Sequence, residues 1–481
     1  MWPFTTSLCS YGIVLYRSLA ALTFAFALLA GQALAQPETP PPYPAPSEPL
    51  PAAGAIPSSV SLDVTGSPAA DPDVLAAQIR SALDRAIRPN LRPGSGVRYG
   101  PIVPWPLLPL PSGTRAAVNV TVTIAGDATT APVSAVTMVV LNGVVVPPAP
   151  PRMLFLSDDP EYLQSEGLVF RGSVTPERAA RLYYYHSDVG VPRDLDVVLT
   201  ATVRSRVQLI ESAAGPDLDV MSVGHTVTRD LLRYEQANEG IVVDVEPGRP
   251  FVLRHGLLLQ GEVLAGAVDV HVLNGAVGVN VVASPAGGRP EPYLSGPRVA
   301  FDGHNRHGVF DLDGFGALAQ SYTAGGPDVA VRYGARVPTP RNVDPADPGH
   351  DYGDYGVVHR ITFTLLNPTE TASVVYLYEK PVGGPVRSTF VVDGQMREVG
   401  CVRMQQPYWV ATYQLPAHFA GASTTITMTD GGSFYPLEFG VTQTQPAPYT
   451  PPVGAPDGCS PNTPAFPDTN AGPASRAPQK N

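Results

Sequence analysis

The stretch FDGHNRHGVFDLDG, residues 301–314, places two histidines (His304, His307) and three aspartates (Asp302, Asp311, Asp313) within fourteen positions. Imidazole nitrogens and carboxylate oxygens at that density are the raw material of a metal site. Zinc needs histidines presented from rigid elements with a third ligand. His304-x-x-His307 has the reach of one helical turn, but Gly303 and Gly308 flank it and discourage a helix. In a strand the pair would fall on opposite faces. The spacing argues for a polar connection over a zinc centre. Calcium suits the aspartates better: Asp311 and Asp313, then Asp344, Asp347, Asp351 and Asp354, are hard oxygen ligands in turns containing Gly and Pro. The spacing does not match an EF-hand loop, and turn aspartates that cap their own backbone have the same composition.

Other chemistry is sparse. The chain has no G-x-S-x-G elbow, phosphate-binding glycine loop, H-E-x-x-H or C-x-x-C. A Ser, His and Asp site assembled only by folding stays open. Aromatic residues offer another use. Tyr183 and Tyr185 share a strand face with Tyr184 on the other, and Tyr352, Tyr355, Tyr408, Trp409 and Tyr413 crowd the later part of the chain. Such rings stack on sugars or anchor a protein partner when exposed, and fill a core when buried.

The elements that must position these residues begin after a leader. An apolar run ends in Ala33-Leu34-Ala35, the small-x-small pattern of a signal peptide, which puts the mature N-terminus at Gln36. No later segment is long and apolar enough to span a bilayer as a helix, so we expect a soluble secreted or periplasmic protein. Only two lysines, Lys380 and Lys480, stand against many arginines, a base-composition bias, and the net charge of -11 argues against nucleic acid or an anionic membrane surface as a partner. Residues 36–57 carry nine prolines and read as a semi-rigid spacer.

Between the ends the dominant period is two. Val118, Val120, Val122 and Ile124 alternate with Asn119, Thr121 and Thr123, and similar alternation runs through 241–246 and 360–365. Asn142-Gly143, Asn274-Gly275 and Asp393-Gly394 predict tight hairpins. One helix is signalled by Asp71 as cap, Pro72 in the first turn, the stripe Leu75, Ile79, Leu83, Ile87, and Pro89 as stop. A second spans about 222–237. The expected class is mainly β: two immunoglobulin-like antiparallel β-sandwich domains preceded by a small α+β module, with disordered Pro-rich ends. The boundaries are a signal peptide at 1–35, a linker at 36–57, the module at 58–150, the first sandwich at 151–290, a connecting region at 291–351, the second sandwich at 352–443 and a tail at 444–481.

GDYGVVHRITFTLLNPTE (353–370), together with SEGLVF (165–170), resembles an uncharacterised family of secreted bacterial proteins, mainly cyanobacterial, over about 155–442. Asp354 stands where that family favours Asn, and the first 150 residues have no counterpart in it. The resemblance implies export and architecture and brings no catalytic residues. The reading is an exported non-enzymatic cell-envelope or extracellular-matrix protein that acts as a structural or binding scaffold for an envelope protein or polysaccharide. A carbohydrate-binding module is the alternative, and a hydrolase with its site between the sandwiches follows it. No cofactor is expected beyond the calcium option.

Removal of the leader leaves Cys401 and Cys459, an even count in an oxidising compartment. Cys459 lies among prolines and glycines where no core recruits a thiol. Non-reducing peptide mapping of the exported protein is expected to show one Cys401–Cys459 disulfide, which stabilises the fold by about 3 to 4 kcal/mol in the chain-entropy model. Two free thiols would reject the pairing.

Overall fold

The alternation read from the sequence is realised as strands in a computed structural model that describes residues 50–448 apart from 305, 345, 346 and 348. The leader, most of the proline-rich linker and the tail from 449, with Cys459, lie outside the described residues. Contacts divide the chain into Met1–Pro49 and a unit that begins at Leu50, to which every element below belongs. The class is mainly β, with antiparallel and mixed sheets and two α-helices among the described residues.

The largest sheet has twelve strands. Its central order runs Met153–Ser157, Ala180–Asp188, Val263–Asn274, Ser205–Asp217, Gly240–Val245, Ser59–Thr65, Val133–Gly143, Arg115–Ala125 and Gly96–Val103. The segments 58–150 and 151–290, expected as a module and a separate sandwich, therefore contribute strands to one continuous sheet. Helix α1 (Pro72–Ile87) starts as its sequence dictates: Asp71 accepts from Asp73 N at 2.8 Å and Pro72 occupies the first turn. Its apolar stripe packs on the inward residues of Arg115–Ala125 and Val133–Gly143, including Val118, Val120, Val122 and Ile124. A four-stranded sheet (Phe251–Leu258, Arg193–Thr200, Val277–Pro285, Gly167–Val174) covers the same side of the neighbouring strands and shares that core.

On the opposite side of the large sheet lies α2 (Val220–Gln236). Covered from both sides, Ala180–Asp188 is buried at every residue. Tyr184 faces the four-stranded sheet, whereas Tyr183 and Tyr185 face α2, as the period of two requires.

The remaining strands form a five-stranded sheet (Ala317–Thr323, Val358–Asn367, Phe419–Met428, Val386–Val392, Gln395–Val402) against a four-stranded one (Val329–Tyr333, Leu437–Thr442, Ser373–Pro381, Tyr408–Leu415). Their common core holds Phe363, Phe390 and Phe439, with Phe390 and Phe439 stacked at 4.9 Å. From Val358 on, successive strands alternate between the two sheets except at one hairpin. That order differs from the ABED and CFG sheets of a constant-type immunoglobulin domain.

Three sequence expectations need revision. Asp393-Gly394 is a true two-residue hairpin, with φ of 48° and 82° and Val392 opposite Gln395. Asn274-Gly275 instead carries the chain from one sheet to another, and Asn142-Gly143 ends a strand whose side chain Asn142 donates to Asp63 at 2.9 Å. Residues 291–351 are more than a connection: His307–Asp311 and Arg341–Asn342 extend the large sheet, while Ala317–Thr323 and Val329–Tyr333 each join a sheet of the later pair.

Gly224 of α2 packs against the turn at Gly431, just after the Phe419–Met428 strand. A Cβ there would lie 1.9 Å from the carbonyl oxygen of Gly431. Gly224→Ala is expected to lower stability by more than about 2 kcal/mol despite alanine's better helix propensity. Gly96→Ala, with open space around it, is expected to be near neutral. Equal melting temperatures for the two variants would refute this account of the interface.

Candidate functional site

The structure separates the residues that the sequence crowds together. His304 is exposed, its Nδ1 2.6 Å from Asp302. His307 lies in a strand, 4% exposed, with Nε2 at 2.5 Å from Asp347, Nδ1 at 3.3 Å from Asp159, and its ring stacked on Phe301. Asp311 binds Arg178 at 2.7 Å and Arg341 at 2.8 Å, and Asp313 takes both prongs of Arg152 at 2.7 Å. Asp347 also binds Arg298. Asp351 accepts from Tyr355 N at 2.8 Å and Asp354 from Gly334 N at 2.9 Å. The Asp344 amide donates to the side chain of Asn342. The six aspartates considered for calcium thus serve different partners, and among the described residues no three acids, histidines or cysteines form a group able to hold a metal.

The four aromatic candidates are also dispersed. Tyr408 is 9% exposed and belongs to the core of the later sheet pair, as does Tyr413. Tyr355 packs between Tyr183 and Tyr435 at 6.3 and 6.2 Å. Tyr352 is half-buried, stacked on His350 with Arg336 over its ring. Trp409 donates to Thr412 at 2.6 Å. They do not form one strip of exposed rings. Cys401 is 6% exposed in its strand.

Ionisable groups do converge where α2 meets the later sheets, but inside the protein. His225 lies between Asp430 (Nδ1, 2.7 Å) and Glu398 (Nε2, 3.0 Å). Burial opposes its charge, and the two carboxylates outweigh burial and raise its pKa. Glu379 is fully buried, and burial, with the nearby charge of Asp430, pushes its pKa to about 8. Burial likewise raises Asp354 to about 7 and lifts Asp158 and Asp351 well above the carboxylate range. Ser157 Oγ lies 2.9 Å from His186 Nε2, whose Nδ1 faces the Pro160 carbonyl at 2.8 Å, a geometry reminiscent of nucleophile and base. Both residues are at most 1% exposed, and burial lowers the His186 pKa to about 4. No substrate reaches an atom sealed in this way without opening the fold.

An open site lies elsewhere. A cleft of about 570 Å³ runs between the second half of α1, the Ser59–Thr65 and Gly240–Val245 strands and Phe251–Leu258. Its charged lining is mostly paired: Arg206 with Asp63 at 2.6 Å, Arg254 with Glu211 at 2.9 Å, and His255 with Asp196 at 2.8 Å. Arg85 sits over the Phe251 ring at 5.4 Å, and its buried Nη1 has no hydrogen-bond partner among the described residues. Sequence reasoning missed it. The available signal was the row Gln78, Ala82, Arg85 beside the apolar stripe of α1, where polar residues edge the buried face.

No family model matches the sequence, and no curated protein matches it. Among solved structures, tripeptidyl peptidase 2 aligns at 10% identity and a TM-score of 0.16 over 73% of this chain, which spans only 30% of that one. The tandem CBM22 domains of Paenibacillus barcinonensis Xyn10C align at 9% identity and 0.13, covering 74% of this chain and 92% of theirs. Lac15 from a marine microbial metagenome aligns at 6% and 0.13, covering 68% and 72%. Scores of this size carry no argument about fold or function.

The buried acids set a pH dependence. Glu379 and Asp354 have folded pKa values raised to about 8 and about 7, so their stabilising contribution is complete below the unfolded values near 4 and is lost as pH rises through 7 to 8. His186 and His359, lowered to about 4 and about 3, act in the opposite sense: their contribution is present above about 6.5 and lost as pH falls. Melting temperature is expected to peak near pH 6 and to fall by several degrees (roughly 3 to 8 °C) by pH 9. Glu379→Gln should shrink the alkaline fall and leave pH 5 little changed. Parallel melting curves for the two proteins from pH 6 to 9 would remove Glu379 from the account.

Proposed function

We propose that this chain is an exported, non-enzymatic scaffold of the cell envelope or extracellular matrix that holds an envelope component on its surface. One observation carries the reading. The acids that would serve a hydrolase between the sheet pairs, Asp158, Asp351, Asp354, Glu379 and Asp430, are all 0 to 3% exposed. An accessible apolar surface lies away from them. Trp105 (62% exposed) and Leu108 (77%) lie in the loop after Gly96–Val103. Val103, Val136 and Met138 project from the sheet face opposite α1, where Val103 and Met138 flank Asn119. Exposed apolar groups in one neighbourhood mark a contact surface. Support for export remains the leader pattern and the proline-rich spacer of the sequence.

The test is co-sedimentation of the chain from Gln36 with insoluble native envelope material, followed by analysis of the supernatant. Saturable binding without release of soluble fragments is expected, weakened about tenfold (roughly 1.4 kcal/mol) in a Trp105→Ala, Leu108→Ala variant. Release of fragments that stops in Asp351→Asn would overturn the scaffold reading in favour of a hydrolase.

A further inference from the structure

The cleft beside α1 combines a cation that lacks an acceptor at one nitrogen with a rim that accepts hydrogen bonds. Its volume of about 570 Å³ suits a small molecule. Inside it, Arg254 donates to Glu211, and Arg206 is held by Asp63 and, at 3.5 Å, by Asp244. Those pairs leave Arg85, half-buried, with one face against Phe251 and Nη1 sealed without a hydrogen bond among the described residues. Burial and the neighbouring Arg254 both disfavour its charge, and Glu211 offsets them only in part, so the net effect is a lowered pKa. An anion in the cleft, against the part of the guanidinium outside the sealed Nη1, would relieve that penalty.

The character of the anion follows from the rest of the lining. A guanidinium fork matches carboxylate and phosphate equally well in shape. Arg85 and Arg88 are the lining arginines without an ion pair among the described residues, and the acidic rim of Asp63, Asp84, Asp244 and Glu291 disfavours a dianion more than a monoanion. The same carboxylates, with Ser61 and Ser81, accept hydrogen bonds from hydroxyls, while Ala82 and Val252 offer apolar contact to a ring. We propose that the cleft binds a sugar acid, its carboxylate on Arg85 and its hydroxyls on the acidic rim. The site is independent of the apolar surface assigned to the envelope partner.

Isothermal titration of the chain from Gln36 tests this, with sodium D-glucuronate as the probe, and D-glucose and inorganic phosphate titrated in parallel at constant ionic strength. Glucuronate is expected to bind, with glucose and phosphate each at least about tenfold weaker. Arg85→Met should cost about tenfold or more, and Arg85→Lys less, because the charge remains and the fork is lost. Arg80→Met, on the exposed side of α1, should bind as the native chain does. Should Arg85→Met fail to fold, Ser81→Phe, one turn before Arg85 on the same helix face, fills the cleft without removing a charge and must also abolish binding. Equal affinity for glucose and glucuronate, tighter binding of phosphate, full binding by Arg85→Met or Ser81→Phe, or no glucuronate binding at about 20 mM (about 2 kcal/mol) would each overturn the proposal. Loss of envelope co-sedimentation with intact glucuronate binding would reject the scaffold reading alone.

Discussion

A single guanidinium ties the layers of this protein together. Arg181, 1% exposed in the middle of the large sheet, donates to Asp269 on the neighbouring strand through two nitrogens at 2.7 and 3.0 Å. The same side chain reaches Glu235 near the end of α2 and the Gly356 carbonyl, at 3.1 Å, where the chain enters the later sheets. Removing an arginine from water costs several kcal/mol unless its donors are satisfied. Here the acceptors lie 54, 88 and 175 residues away in sequence, so satisfaction requires strand, helix and later sheets to arrive together. Burial raises the pKa of Glu235, with Arg181 opposing and Asp269 adding to the rise. The arrangement penalises any packing in which one layer is displaced.

The remaining polar contacts around α2 follow from that placement. With Glu235 fixed at one end, the N-terminal half of the helix lies against the Val386–Val392 and Phe419–Met428 strands. Only glycine fits at position 224, and His225 is delivered between Glu398 and Asp430. Arg387, 1% exposed, donates to Ser222 and lies 3.7 Å from Asp219, the cap of the helix. Tyr183 and Tyr185 fill the space between these polar contacts with ring area. Directional groups at an interface select one docking geometry, whereas an apolar surface alone tolerates several. His225, Glu398 and Asp430 have this docking role.

How much of this was legible in the sequence depends on the distance over which each feature is decided. Asp71-Pro72 and the Leu75 to Ile87 stripe are local, and α1 starts and ends where they place it. Asp393-Gly394 closes its own hairpin, and the alternation at 118–124 identifies the face that α1 covers. Asn274-Gly275 has the same local chemistry as the true hairpin, but the next strand pairs in another sheet, which turn residues do not encode. Local sequence offers Asp311 and Asp313 as calcium ligands or as turn caps and does not show their arginine partners, because Arg178 and Arg152 lie 133 and 161 residues earlier. Composition showed that arginines were abundant, and only the fold shows which carboxylate each one neutralises.

The contrast between Arg181 and Arg85 shows where ligand chemistry belongs in such a molecule. Both side chains leave water, and both have a carboxylate whose charge reaches them. Arg181 is enclosed by acceptors on three sides, its charge is strongly favoured, and nothing further could bind without displacing the layers it joins. Arg85 lies at the wall of an open cleft, and the carboxylate that reaches it is already hydrogen bonded to Arg254. With Phe251 on one side and the cleft on the other, the part of this guanidinium outside the sealed Nη1 can meet an anion without unfolding anything. Structural charges are therefore those whose partners come from several layers. A binding charge is one that the layers leave incompletely satisfied at an accessible wall, and in the described part of this chain Arg85 meets that condition.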